Sequence, residues 1–531
     1  MNHLAKLVNA LFIIMFFVSC KAQNASEPDR VLSLKNHREE FLYRPNFHFT
    51  PRANWMNDPN GMFYLNGKYH LYFQYYPKDN VWGPMHWGHA TTTDFVNWDE
   101  QPIALYPDEL GYIFSGSAVV DHDNTSGFGK DGIVPIVAIY TNHSPSRKDA
   151  GFDDFQTQGI AYSLDEGQTW TTYNKNPVVA NPGFFHFRDP KVTWDEVHNK
   201  WVMALACDQV VKFYGSKNLK DWDFLSDFGE DVGAHGGVWE CPDLFRIKVR
   251  DTNEYKWVLL SSINPGGPNE GSATQYFVGE FDGTNFKLEE SQKREMREHH
   301  DYWIDFGKDN YAGVTFANTA NQDSKTLIGW MANWQYAIRV PTTIWRSAMT
   351  MPRHMYLVKN DQDYRMLSEP VDVETTTNKL EKATLLIEES TEIASSKDIV
   401  MDKAIFTINL KNGRSHGFHF DLKNDLDEVL HFGYDVKTNR FYIDRFKSGK
   451  IQFDKRFALK NSFAPRLNDD ANILLKVILD KTSIELFFDD GKIVMTEIFF
   501  PNSPMNKLLV RPDKKGLQLE ILNAEEITVA K

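Results

Sequence analysis

Cysteine is scarce in this chain of 531 residues: Cys20, Cys207 and Cys241 are the only three. So few exclude a disulfide framework and a zinc-type cysteine cluster, leaving a Cys207–Cys241 bridge as the one internal pairing to consider. Basic residues are also in deficit. Lys and Arg total 58 against 72 Asp and Glu, a formal net charge of -14. Phosphate binding needs a basic footprint, so nucleic acid is excluded as a partner. No apolar run is long enough for a transmembrane helix, and no long run of helical period occurs before about residue 370. Aromatic residues, by contrast, are plentiful, with 14 Trp, 21 Tyr and 38 Phe. They suit pleated, half-buried surfaces, and their flat rings also stack on the apolar faces of sugars.

The N-terminus reads as an address. Lys6 precedes the apolar stretch Leu7 to Val18, and Ser19-Cys20 and a polar segment follow. A basic start, a short apolar core and a small residue before the cut describe a secretory signal peptide. Phe17-Val18-Ser19-Cys20 resembles the lipobox of bacterial lipoproteins. That resemblance implies a signal peptide over 1–19, lipidation of Cys20, and an exported protein anchored to a membrane by acyl chains. A polar tether over 20–42 is expected to follow.

From 43 to 365 the chain reads as short strands and turns. Asn66-Gly67 between two aromatic-rich stretches is a hairpin signal. Leu205 to Val211 and Trp257 to Ile263 are further strand candidates. Three segments share a polar turn ending in Trp: Thr93 to Trp98, Ser163 to Trp170, and Ser216 to Trp222. Each is expected to close a hairpin on the outer part of a propeller blade, since repeated four-stranded units without helices point to a β-propeller. A linker or short helix is expected over 366–382. Alternating strands then resume over 383–531, with Asp489-Asp490-Gly491 marking a hairpin, as in a β-sandwich.

Three acidic residues stand in unusual company. Asp58 lies in Asn57-Asp58-Pro59-Asn60-Gly61, a composition that also suits a plain tight turn. Asp189 lies between Arg188 and Pro190, and the proline biases it toward extended backbone. Glu240 lies between Trp239 and Cys241, an apolar setting that favours the protonated acid. Taken singly, each is as well explained by a turn, a surface ion pair or a strand end.

Together they form a pattern. Trp55-Met-Asn-Asp-Pro-Asn-Gly61, Arg188-Asp189-Pro190 and Glu240-Cys241, in that order, resemble the acidic motifs of glycoside hydrolase family 32, the fructan hydrolases and invertases. Phe73-Gln74, Trp82, Phe114-Ser115-Gly116-Ser117 and Gly329-Trp330-Met-Ala-Asn-Trp334 fit the same family, as do Asp444-Arg445 and Ser483-Ile-Glu485 further on. The resemblance implies an all-β protein, a five-bladed β-propeller followed by a C-terminal β-sandwich. It also implies that the acidic motifs converge on a central funnel.

By the same resemblance, Asp58 is the nucleophile, Glu240 the general acid and base, and Asp189 the stabiliser of the transition state. Trp55, Asn57, Gln74, Trp82, Phe114, Ser115, Arg188 and one of Trp330 or Trp334 hold the terminal fructose. Retaining glycosidases use two carboxyl groups roughly 5–5.5 Å apart, one of which forms a covalent intermediate. Asp58 is expected to stay ionised by accepting hydrogen bonds from its turn. The expected substrate is a fructan such as levan or inulin, or sucrose. Exo action is favoured by Ile113-Phe-Ser-Gly-Ser-Ala and Trp330-Met-Ala-Asn-Trp. A fructosyltransferase, a non-catalytic fructan-binding lipoprotein and a related glycosidase acting on arabinan or xylan are the alternatives. No metal or cofactor is called for; His299-His300-Asp301 reads as a polar loop. The sequence sets no oligomeric state.

Overall fold

The Asn66-Gly67 signal marks a real hairpin, in which Asn54–Leu65 pairs with Lys68–Tyr76 and Leu65 faces Lys68. This is the first of five blades in a computed structural model that describes residues 27–319, 321, 323–360, 363–377, 380 and 384–530. The expected signal peptide, Cys20 and the start of the tether lie outside the described residues, as do positions 378, 379, 381 and 382 of the expected linker.

Each blade is an antiparallel sheet of four strands. The innermost strands are Asn54–Leu65, Tyr112–Val120, Phe187–Asp195, Val238–Lys248 and Tyr311–Thr315. They neighbour one another in that order, and the fifth returns to the first, closing a ring around a central channel. The short strand Trp345–Arg346 pairs in parallel with the start of the first and adds a fifth strand to that sheet. The chain then crosses into two packed sheets of seven and six strands. The protein is thus a five-bladed propeller followed by a β-sandwich.

The Trp-ended turns sit where blade geometry needs them, each joining the third strand of a blade to the fourth. In two of them the indole donates to the carbonyl three residues back, Trp98 to Phe95 and Trp222 to Leu219, both at 3.1 Å. In the other, Asp165 accepts from Thr169 N and Oγ1.

Several expectations are corrected. The segment read as a polar tether is helical over Glu27–Tyr43. Its end is docked: Leu42 and Tyr43 are buried, and the Glu39 carboxylate accepts bonds from Thr343 Oγ1 at 2.6 Å and Ile344 N at 2.9 Å. A polar sequence hid this because the helix is held by a few residues at one end. Two shorter helices, Pro145–Asp149 and Glu290–Glu298, also precede residue 370. The stretch Leu205 to Val211 is not one strand but a hairpin, since Lys200–Cys207 and Val210–Ser216 turn at Asp208, whose φ is 54°. The last propeller strand runs to Pro370, past the expected boundary at 365, and Thr375–Thr377 pairs with the final strand of the sandwich. Cys207 and Cys241 are free thiols.

Buried ion pairs weld the two domains. His48 is enclosed at the junction, with Nδ1 2.9 Å from Asp480 Oδ2 and Nε2 2.8 Å from Glu485 Oε1. Burial alone lowers the pKa of this imidazole, but bonds to and charge on Asp480 and Glu485 outweigh it and raise the pKa to about 9. The unfolded value is about 6.5. The folded state therefore gains its full benefit below pH ~6.5 and loses it as pH rises through about 9. A shift of this size corresponds to roughly 3 kcal/mol. The denaturant midpoint is expected to fall over that window, and to fall much less in His48→Gln; equal slopes would place the titrating group elsewhere.

Candidate active site

The five innermost strands each deliver a side chain near their N-terminal ends, at one mouth of the channel. These are Asp58, Ser115, Asp189, Glu240 and Tyr311. A regular strand would alternate its side chains strictly, so some device must re-aim them. That device is a bulge in every strand. Ladder registers shift between Met56 and Pro59, Ile113 and Gly116, Glu240 and Asp243, and Tyr311 and Val314. In the third blade the shift lies opposite Asp189, between Ala204 and Ala206. Asp189, Cys241 and Ala312 take positive φ values of 65°, 45° and 52°. Left-handed backbone at non-glycine residues costs about 1–3 kcal/mol each and is retained where geometry demands it. Asp189 is therefore not extended, as Pro190 alone suggested; the bulge overrides the proline, and Asp189 N donates to Thr141 Oγ1 at 3.0 Å.

The motif around Asp58 is likewise not a turn but the bulged start of a strand. Gly61 is explained by contact as well as conformation: its φ is 52°, and a Cβ there would lie 2.6 Å from the Trp87 ring. Asn60 accepts from Gln74 Nε2 at 2.7 Å, and the same Gln74 nitrogen donates to Ile113 O at 3.1 Å. Asn57 Oδ1 accepts from Trp55 Nε1 at 2.7 Å.

Asp58 and Asp189 meet at Cys241. Its Sγ is 3.7 Å from Asp58 Oδ2 and 3.7 Å from Asp189 Oδ2, and its N–H donates to Asp189 Oδ2 at 3.1 Å. Ser115 Oγ donates to Asp58 Oδ2 at 2.7 Å. Asp58 Oδ1 is enclosed and has no protein partner among the described residues. Glu240 is held from both sides. Arg188 Nη2 and Nε donate to Oε1 at 2.8 and 3.1 Å, and Tyr311 Oη donates to Oε2. Arg188 is itself oriented by His186 Nδ1, 2.7 Å from Nη1.

One guanidinium thus faces two of the carboxyl groups, bonding Glu240 and lying 3.9 Å from Asp189 Oδ2. Burial and the Glu240 charge push the Asp58 pKa up, against bonds from Asn57 and Ser115. Burial also raises Asp189, to about 7, with Arg188 opposing and Glu240 and Asp58 adding to the rise. The expectation that Asp58 sits in a turn is corrected: its hydrogen bonds come at the start of a bulged strand, and burial and the Glu240 charge outweigh them in raising its pKa.

The aromatic residues divide into two groups. Trp55 and Trp330 are fully buried, so neither presents a surface to a ligand. They form a support instead, with Trp55 stacked on Trp334 at 5.8 Å and Trp330 tilted against both. Trp334 retains exposure, as does Trp82, which is 41% exposed and set edge-on to Phe114. Phe114 stacks on His143 at 4.2 Å. Tyr311, Thr141, His143 and His186 escaped the sequence reading because no local pattern marks them; only ring closure brings them to the carboxylates. His300 and its neighbours take no part, since His300 bonds Gln275 and stacks on Trp303.

Paired carboxyl groups enclosed at one mouth of a propeller channel, with an arginine and exposed aromatic rings beside them, define a propeller-type glycosidase. Sequence comparison narrows the class. The model for the glycosyl hydrolases family 32 N-terminal domain matches residues 48–370, and that for the family 32 C terminal matches residues 367–526. A levanase of Bacillus subtilis is 44% identical over 488 residues, 91% of this chain and 68% of the relative. An extracellular exo-inulinase of Aspergillus ficuum is 39% identical, over 87% of this chain and 90% of its own length. Among solved structures, exo-inulinase from Aspergillus awamori superposes with a TM-score of 0.82 at 35% identity, covering 92% of this chain and 98% of that one. The β-fructofuranosidase from Schwanniomyces occidentalis complexed with fructosyl-erythritol gives 0.78 at 34%, covering 92% and 97%. The chain belongs to glycosyl hydrolase family 32, among the β-fructofuranosidases.

Proposed function

We propose that this enzyme releases terminal fructose from β-fructans by a retaining mechanism, with Asp58 as nucleophile and Glu240 as general acid and base. The observation that carries the reading is a linked cluster at the channel mouth: Asp58 and Asp189 share the Cys241 sulfur, and Asp189 and Glu240 share Arg188. Glu240, gripped by Arg188 and Tyr311, is fixed to give its proton to the leaving oxygen. Asp58 attacks the anomeric carbon. The fructosyl-enzyme is then hydrolysed by water that Glu240 deprotonates. Asp189 does not attack. Asp58 and Asp189, both raised by burial and by neighbouring carboxylate charge, are poorly matched to a neutral substrate but well matched to a developing oxocarbenium charge. That difference favours the transition state over the ground state. Trp334, Trp82 and Phe114 supply the faces against which the sugar packs, with Asn57, Gln74 and Ser115 below.

Incubation with levan, inulin and sucrose, followed by product sizing, tests the reading. Fructose alone signals exo action, a ladder of oligomers signals endo action, and transfer products at high sucrose signal a fructosyltransferase. Ser115→Ala removes a bond that holds the Asp58 pKa down, so the acid limb of kcat/KM is expected to move to higher pH. An unmoved limb would assign that limb to another residue.

The chain is also proposed to be a lipoprotein carried on Cys20. The motif Phe17-Val18-Ser19-Cys20 supports this. Cys20→Ala is expected to shift the protein from the membrane to the soluble fraction; unchanged partitioning would exclude the anchor.

A further inference from the structure

The opposite mouth of the channel holds a second cavity of about 350 Å³, within the range of small-molecule sites, roughly 300–1,000 Å³. A polar layer lies between it and the acidic cluster. Lys191 Nζ donates to Thr315 O and lies 3.5 Å from Asp243 Oδ2. Thr315 N and Oγ1 donate to that same oxygen at 2.7 and 2.8 Å. Ser117 Oγ donates to Pro190 O and accepts from Val192 N, both at 3.0 Å. Four of the inner strands are tied together at this level, below Asp189.

Beyond that layer, groups are left without partners. Asp243 is 1% exposed, yet its Oδ1 has no hydrogen-bond partner among the described residues. The ammonium of Lys325, half-buried on the same cavity, makes no hydrogen bond or ion pair among the described residues either. Trp194 and Tyr255 line the wall and are half-buried. Trp194 is braced edge-on by Trp201 at 4.9 Å, and Tyr255 is covered on one face by Arg246 at 4.2 Å. Glu196 stands exposed at the rim.

Donors and acceptors of both charge signs, set beside aromatic rings, suit a neutral polyhydroxylated ligand. An inorganic anion attracted by Lys325 would also meet Asp243 and Glu196. We propose that this mouth is a second, non-catalytic binding site for a neutral saccharide. Its apolar face packs on Trp194 and Tyr255, and its hydroxyls bond Lys325, Glu196 and, at the floor, Asp243. That the saccharide is a stretch of fructan rests on the function proposed above.

The test uses the full chain carrying Asp58→Asn, so that ligand is bound without turnover, titrated calorimetrically with short fructo-oligosaccharides. Two saccharides per chain are expected, and one after Trp194→Ala is added, with the affinity of the remaining site unchanged. Lys325→Met is expected to repeat that loss while leaving the Trp194–Trp201 contact intact. In the otherwise wild-type enzyme, Trp194→Ala is expected to leave sucrose cleavage unchanged. One saccharide per chain in every variant would overturn the proposal. So would inorganic phosphate, rather than saccharide, being the ligand lost in Lys325→Met. Failure of the fructan reading is visible separately, as absence of fructose release by the wild type. Xylo- and arabino-oligosaccharides are then titrated, and binding of either that is lost in Trp194→Ala sustains the second site, whereas binding of neither removes it.

Discussion

Asp58→Asn is expected to abolish fructose release by a factor on the order of 10⁴ or more while leaving the fold intact. The substitution keeps shape and removes the charge and the nucleophilic oxygen. Ser115 Oγ can still donate to the side-chain carbonyl, so the strand start keeps its tie. Thermal stability is expected to hold or rise, because a buried carboxylate beside Glu240 is removed. A second readout does not depend on activity. Asp58 is one of the charges that lift Asp189 to about 7, so Asp189 is expected to titrate at lower pH in Asp58→Asn, measured by carboxyl-carbon NMR. Near-native turnover would remove Asp58 from the nucleophile role. An unmoved Asp189 would mean that the two carboxylates do not share a field.

Arg353→Met is expected to be the most destabilising single change at the junction of the domains. Arg353 is fully buried, with Nη1 2.8 Å from Asp305 Oδ2 and Nη2 2.6 Å from both Glu485 Oε2 and Thr496 Oγ1. Asp305 and Thr496 are bonded to each other as well. A methionine fills much of the volume but leaves two enclosed carboxylates facing less positive charge. Breaking a buried pair in this way costs about 3–5 kcal/mol. Arg353→Lys is expected to recover only part, because a single ammonium lacks the planar fork that reaches partners in two directions. Denaturant midpoints of the three proteins check this, together with fructose release below the transition, which is expected to persist because Arg353 touches none of the channel-mouth carboxylates. A midpoint equal to wild type in Arg353→Met would mean the ion pair adds nothing to the junction.

Some features were legible because a local rule produces them. Asn66-Gly67 makes its hairpin wherever strands flank it. The Trp-ended turns carry their own bonds, such as Trp98 to Phe95, within a few residues. Asp489-Asp490-Gly491 turns because all three accept positive φ. Other features had no local cause. The helix Glu27–Tyr43 is held by Glu39 reaching Thr343 and Ile344, some three hundred residues on. Tyr311 has a plain sequence setting and becomes important only because the fifth inner strand closes beside the fourth.

The sequence by itself determined which residues are chemically competent: three carboxylates, an arginine and a set of indoles, in an order that resembles one family. Tertiary structure decided what each of them does. It turned an expected tight turn at Asp58 into a bulged strand, and it gave Asp189 a left-handed backbone that its proline argued against. It also buried Trp55 and Trp330, leaving Trp334 as the exposed ring of the cluster. The reason is physical. Residue type fixes which protons and charges are available, but their pKa values and reach depend on distance and burial. Both are set when five strands from distant parts of the chain close into a ring.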